Sequence, residues 1–167
     1  EMVVKNIVSW TSLIAGYIQN GFFEKGLSAF RDMMAFGVRP NAVTLVSVLP
    51  ACASMEFFNS GKLIHAYSFK LGFISDISLV NSLVALYGKC GHVDIARSLF
   101  DRMAVRTVVS WNAIIAAYEQ NKAGADAIKL FRRMQTEGVE YDFITLVSVI
   151  SACASIGALD TGKWVHD

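Results

Sequence analysis

The chain has 167 residues, with 15 Lys and Arg against 14 Asp and Glu, and its net charge of +1 gives no sign of a strong electrostatic attraction to polyanions. Hydrophobic content of 54% and mean hydropathy of +0.44 are high, yet the two longest uncharged stretches, residues 6–23 and 143–159, are 18 and 17 residues long, and the latter contains Thr145, Ser148, Ser151 and Ser155. A spanning helix needs about 20 mainly apolar residues, so a buried helix is expected there and no membrane segment.

In chain order, residues 2–6 align with residues 103–107 and are read as the tail of a preceding unit. Within residues 7–41, Leu13, Ile14 and Tyr17 recur at three- and four-residue spacing, and Leu27, Phe30 and Met34 do the same. That pattern predicts two amphipathic helices of roughly a dozen residues each. Asn20–Gly21 breaks the first, and Gly37 with Pro40 ends the second. The following segments, 42–76, 77–107, 108–142 and 143–167, read alike, with breaks near Gly72 and Cys90–Gly91. Gly26, Ala96 and Ala127 are small enough to let paired helices approach closely. Pro50 falls inside the first helix of its pair, where it removes one backbone hydrogen bond and is expected to bend the helix. No strand alternation competes, and the expected fold is an all-α solenoid of antiparallel helix pairs.

The pairs repeat. TLVSVLPACAS at residues 44–54 returns as TLVSVISACAS at 145–155, and residues 1–66 laid over 102–167 give 27 identities in 66 positions. Steps of 35, 35, 31 and 35 carry Phe30 to His65, Phe100, Phe131 and His166, and Tyr17 to Cys52, Tyr87, Tyr118 and Cys153. A three-unit block of 101 residues is therefore used twice, and the chain begins and stops partway through units. Both ends are expected to be cuts through a longer chain, with any targeting peptide upstream.

Residues 108–142, VVSWNAIIAAYEQNKAGADAIKLFRRMQTEGVEYD, resemble a 35-residue pentatricopeptide repeat. Residues 77–107, ending YGKCGHVDIARSLFDRM, resemble the 31-residue short variant, and the units opening at Ala42 and Phe143, with ACAS, GK and H, resemble the long one. The order is similar to that of the PLS subclass of plant pentatricopeptide repeat proteins. The resemblance implies a right-handed α-solenoid and single-stranded RNA as partner, read at one base per repeat by two or three side chains each. It also implies a mitochondrial or chloroplast setting and a part in specifying C-to-U editing sites. The alternative implied is a protein-binding scaffold that recruits editing cofactor proteins. The tetratricopeptide repeat is the rival family; Trp10, Leu13, Tyr17 and Phe30 partly meet its pattern, but its uniform period and its glycine after the leucine are missing.

In the family, the fifth and last residues of a repeat face the base edge and the second residue sandwiches the base. Carried onto this chain, the base-reading pairs are Thr11 with Asn41, Asn81 with Thr107, and Asn112 with Asp142. Val46 with Asp76 occupies those places in the long unit, where valine cannot hydrogen-bond, as at Val147. The sandwich positions are Val8, Val43, Ser78, Val109 and Ile144. The pairing rules imply adenine for Thr11/Asn41 and uracil for Asn112/Asp142. An acceptor-only carboxylate suits the N3–H of uracil while Asn112 serves a carbonyl, and the amide of Asn41 both donates and accepts. Thr107 stands where the family usually has Asp or Asn. Each of these polar residues also fits a plain role as a helix cap or an exposed helix residue. Lys89 is a candidate phosphate contact or a solvated lysine.

Cys52, Cys90 and Cys153 lack the paired spacing of a disulfide scaffold and fit a reducing compartment. Cys52 with His65, and Cys153 with His166, share a spacing but supply only two ligands each, and Tyr or Phe replaces them in neighbouring units, so core packing is expected rather than a metal. His92, beside Gly91, is expected to be exposed. There is no H-x-E with P-C-x-x-C, as a zinc deaminase requires, and no nucleophile–base pair or glycine-rich phosphate loop. No cofactor and no catalysis are expected of this segment.

Overall fold

The computed structural model describes residues 6–157. Every regular element among them is an α-helix: α1 (Ile7–Gln19), α2 (Phe23–Ala35), α3 (Ala42–Ser54), α4 (Phe58–Lys70), α5 (Ile77–Lys89), α6 (Val93–Asp101), α7 (Val108–Gln120), α8 (Gly124–Thr136) and α9 (Phe143–Ser155).

The odd-numbered helices start behind polar residues that occupy the donors of the first turn. Oδ1 of Asn6, Asn41, Asp76 and Asp142 each accepts the backbone N–H three residues on, at 2.9 Å in every case. The reverse bond, from the cap N–H to a hydroxyl three residues on, joins Asn6 to Ser9, Asn41 to Thr44, Asp142 to Thr145 and, at 3.1 Å, Thr107 to Ser110. Even-numbered helices have no such cap. They begin in a tight turn closed by a backbone bond: Phe22 N–H to Tyr17 O, Phe57 to Cys52, His92 to Tyr87 and Ala123 to Tyr118, all 2.8–2.9 Å. Each turn needs one left-handed residue, filled by Gly21 and Gly91 but also by Glu56 and Lys122, with φ of 53° and 61°. α3 runs on through Pro50, which sits on its exposed side.

α1, α3, α5, α7 and α9 stack in sequence, each against the next, and every even-numbered helix packs on the odd-numbered helices before and after it. No even-numbered helix packs its backbone directly against another. The core therefore runs along the odd-numbered stack, through Ile14, Leu45, Leu49, Leu79, Leu83, Ile114, Ile115 and Val149, all fully buried. Phe30, Phe100 and Phe131 close it from the second layer. The small residues hold the helices close. A Cβ on Gly26 would lie 2.5 Å from Ile18 Cγ1, and one on Gly88 would lie 2.5 Å from Ala117 Cβ. Ala96 and Ala127 are fully buried.

Cys52 is fully buried, and burial pushes its thiol up to about 11, so it is a packed neutral group. His65 Nδ1 is 2.9 Å from the hydroxyl of Tyr87, and burial lowers its pKa. His92 is exposed and stacks on Phe58 at 3.9 Å. The expectations for residues 1–5, Gly162–Lys163 and His166 lie outside the described residues. Among those described, no group of three or more His, Cys, Asp or Glu could hold a metal, and no helix is long and apolar enough to cross a membrane.

Candidate nucleic-acid interface

The second residue of each odd-numbered helix lies largely in the open. Val8, Val43, Val109 and Ile144 are 57–68% exposed, and Ser78 is exposed too. Because these helices lie side by side, their second residues form a row, spaced at about the 8–10 Å of packed helix axes. Four of the five are branched hydrophobes, an arrangement that costs free energy in water and suits the flat face of an aromatic ring.

Between neighbouring apolar residues lie the polar pairs. In the fourth complete unit, Asn112 Nδ2 donates to Asp142 Oδ1 at 2.9 Å and to Oδ2 at 3.1 Å. The hydroxyl of Thr145 donates to Asn112 Oδ1 at 2.5 Å, and Thr145 N–H donates to Asp142 Oδ1. The backbone bond from Thr145 is the chief cause holding the Asp142 carboxyl below the usual range; partial burial opposes it and the Asn112 amide reinforces it. The pair therefore presents a fixed amide N–H beside an ionised acceptor.

In the first unit the same places are linked differently. Thr11 Oγ1 and Thr44 Oγ1 are 2.7 Å apart, and Thr44 Oγ1 donates to Asn41 Oδ1 at 2.9 Å. The carbonyl of Asn41 also takes the N–H of Thr44. It is thus committed to the helix start, and only the NH2 of Asn41 faces outward. That differs from the expectation that Asn41 would both donate and accept; the acceptor of this pair is Thr11.

The short unit does not assemble its pair. Asn81 is 8% exposed, as Asn112 is, but its Oδ1 is buried without a partner and no hydrogen bond joins it to Thr107. Thr107 is exposed and its Oγ1 lies 3.3 Å from Ser110 Oγ. In the long unit Val46 packs against the core and Asp76 only caps α5. Val147 is 51% exposed. Lys89 is exposed in the last turn of α5. Capping and base reading, which look like alternatives in the sequence, are compatible at Asn41 and Asp142, because the cap uses Oδ1 and leaves the rest of the group.

Thr44 and Thr145, both fully buried, are the residues that sequence reasoning passed over. Their signal was available: each is a polar third residue in an otherwise apolar helix start, inside the repeated TLVSV.

Sequence profiles of known families match most of the chain. The profile described as PPR repeat family covers residues 5–54 and 106–155, and that described as PPR repeat covers residues 78–108. The chain belongs to the pentatricopeptide repeat (PPR) family. Among its relatives, the PPR protein CRR2, chloroplastic, of Arabidopsis thaliana is 42% identical over 164 residues, covering 97% of this chain and 25% of that protein. The PPR protein At4g31070, mitochondrial, of the same plant is 38% identical over 167 residues, 99% of this chain and 27% of that protein. This PPR chain thus spans about a quarter of the length of these curated relatives. Among solved structures, maize PPR10 in complex with an 18-nt psaJ RNA element matches with a TM-score of 0.81 at 21% identity, over 93% of this chain and 23% of that one. Nuclear proteinaceous RNase P 2 of A. thaliana matches with a TM-score of 0.68 at 11% identity, over 95% and 37% of the two chains. These likenesses show the PPR solenoid fold.

Proposed function

We propose that this chain is part of an array that reads single-stranded RNA at one base per unit, within a plant organellar factor of the PLS subclass that specifies C-to-U editing sites in mitochondria or chloroplasts. The units are residues 7–41, 42–76, 77–107, 108–142 and the partial 143–167, after a short tail at 1–6. The observation that carries the reading is the bonded Asn112–Asp142 pair, set between the exposed side chains of Val109 and Ile144. A base inserted between those two apolar groups meets a donor and an acceptor on its edge, and uracil supplies their complements in a carbonyl and N3–H. The Thr11–Asn41 pair, between Val8 and Val43, presents an acceptor and a donor instead, which suits N6–H2 and N1 of adenine. RNA bound to the structurally similar PPR10 supports the partner class, and the chloroplastic and mitochondrial relatives support the setting.

A second reading, a scaffold for editing cofactor proteins, is favoured by the opposite face. There a cleft of about 430 Å³ between α2 and α4 is lined by Leu27, Phe30, Met34, Leu63 and Tyr67.

The test is a switch. Asn112→Thr with Asp142→Asn copies the first unit and keeps Thr145 in the place of Thr44, so the fold is expected to hold. In the intact protein, on RNAs that differ only at the base facing this unit, preference should move from uracil to adenine by about 1–3 kcal/mol at one fixed salt concentration. A folded double variant that still prefers uracil would show that the two residues are caps and nothing more.

A further inference from the structure

A hydroxyl can donate and accept, and a carboxamide can face either way, so a Thr–Asn pair has no donor–acceptor polarity of its own, and the amide of an Asn–Asp pair is turned by what it bonds. In this fold something supplies the direction in each. The carboxylate of Asp142 can only accept, so the group of Asn112 that faces it is the NH2. The Oδ1 of Asn112 is then turned to Thr145, whose hydroxyl also lies 3.0 Å from Asp142 Oδ1; the shorter oxygen–oxygen contact, 2.5 Å to Asn112, is tenable only with the single proton of Thr145 in it. In the first unit, the carbonyl of Asn41 has no proton to give, so Thr44 must supply the one in their 2.9 Å contact. With its proton spent, Thr44 can only accept from Thr11, across 2.7 Å. The lone pairs of Thr11 are left facing outward.

We infer that Thr44 and Thr145 are positioning residues: the buried hydroxyl of Thr44 makes Thr11 the acceptor of its pair, and that of Thr145, together with the Asp142 carboxylate, holds the Asn112 amide so that its NH2 is the donor. The inference rests on the base-reading function proposed above. The two units without such a bridge fit it. Leu79 stands at the same place after the long unit and has no hydroxyl. Ser110 stands there after the short unit and, like Thr44 and Thr145, accepts the N–H of its cap residue, but no hydrogen bond joins it to Asn81, whose buried Oδ1 is left with no partner. Neither unit has a polarised pair. Loss of the Thr145 hydroxyl would leave the Asn112 carbonyl in the same unsatisfied state as that of Asn81, with the Asp142 carboxylate alone to hold the amide against rotation toward another donor. Loss of the Thr44 hydroxyl would free Thr11 to present a proton or a lone pair.

Thr145→Val removes the hydroxyl at nearly constant volume, and Thr145→Ser restores it. Both are to be compared in the intact protein by binding to RNAs that carry uracil, cytosine or adenine at the base facing this unit. Thr145→Val should cut the preference for uracil over cytosine and adenine by about fivefold or more, Thr145→Ser should keep it, and preferences at neighbouring bases should stay put. A purely structural threonine would weaken all three RNAs by one common factor; that result, or an unchanged ratio in a folded Thr145→Val protein, overturns the inference. If Thr145→Val does not fold, Thr44→Val carries the same test for adenine preference in the first unit. The Asn112→Thr, Asp142→Asn switch separates the two levels. If the switch works and both valine variants keep their ratios, only the hydroxyl inference fails. If the switch does not work, the base-reading function fails and this inference with it.

Discussion

Asp142 serves two structures at once, and the two respond differently to substitution. As the cap of α9 it needs only an oxygen, which Asn supplies as well as Asp does; Ala would cost about 1 kcal/mol. As an ionised acceptor it needs its charge. Its carboxyl lies below the usual range through the Thr145 backbone bond, against partial burial and with help from Asn112. A depressed carboxyl stabilises the fold above its unfolded value of about 3.9 and loses that contribution as pH falls through the lower folded value. The melting temperature of the wild type should therefore exceed that of Asp142→Asn near neutral pH and converge on it in strong acid. The gap is expected to be at most about 1 kcal/mol, because the group is partly solvated. An equal gap at both ends of the range would show that the charge is not what Asn112 and Thr145 stabilise. At this scale the sequence was informative about identity and silent about direction. Recurrence picked out Thr11, Asn41, Asn112 and Asp142, but which atom of each faces outward depends on Thr44 and Thr145, contacts 33 residues away from Thr11 and Asn112. Nor could residue type distinguish Asn81 from Asn112; their difference lies in whether the neighbouring helix brings a hydroxyl within reach.

Helices were more legible than the pairs they carry. Apolar spacing around Tyr17 and Phe30, with Gly37 and the caps at Asn41 and Asp142, gave helix starts and ends because those signals are local. The close approach of α5 to α7 is not local, and Gly88 did not stand out in the sequence. A methyl there would meet Ala117 Cβ at 2.5 Å and its Cα at 3.0 Å, and a backbone atom cannot step aside. Gly88→Ala would gain up to about 1 kcal/mol in helix propensity. Overpacking costs about 1–3 kcal/mol and should exceed that gain, lowering the melting temperature. Adding Ala117→Gly should recover part of the loss, since the nearer clash disappears and the 3.0 Å one remains. A Gly88→Ala protein as stable as the wild type would mean that the two helices can separate slightly without penalty. The short α6 is tied to its neighbours differently: Asp101 at its end takes Arg97 Nε at 2.6 Å and Arg133 Nη1 of α8 at 2.9 Å. Those charges are partly exposed, so they fix orientation more than they add stability.

For the whole molecule, the proposed reading gives two polarised pairs and so two specified bases, which match about one random site in sixteen, far too often to single out one transcript. With a net charge of +1, bulk attraction to RNA does not make up the difference. Selectivity must come from many units in register, and register must be kept along the odd-numbered stack. That stack is continuous from α1 to α9, whereas no even-numbered helix packs its backbone on another. Mechanically, this is a leaf spring: one plate of packed leaves with a row of ribs behind it whose backbones stand apart, α6 and α8 being linked by the Asp101–Arg133 side-chain pair. Bending that opens or closes the gaps between ribs leaves the plate intact, so the curvature of the array is soft while the spacing of its leaves is stiff. Spin labels at Leu63 and Lys129, on α4 and α8, should give a broader distance distribution than labels at Val43 and Val109, on α3 and α7. Equal widths would mean the ribs are as firmly held as the plate. A ruler of this kind can wrap to follow a flexible strand and still keep its graduations evenly spaced.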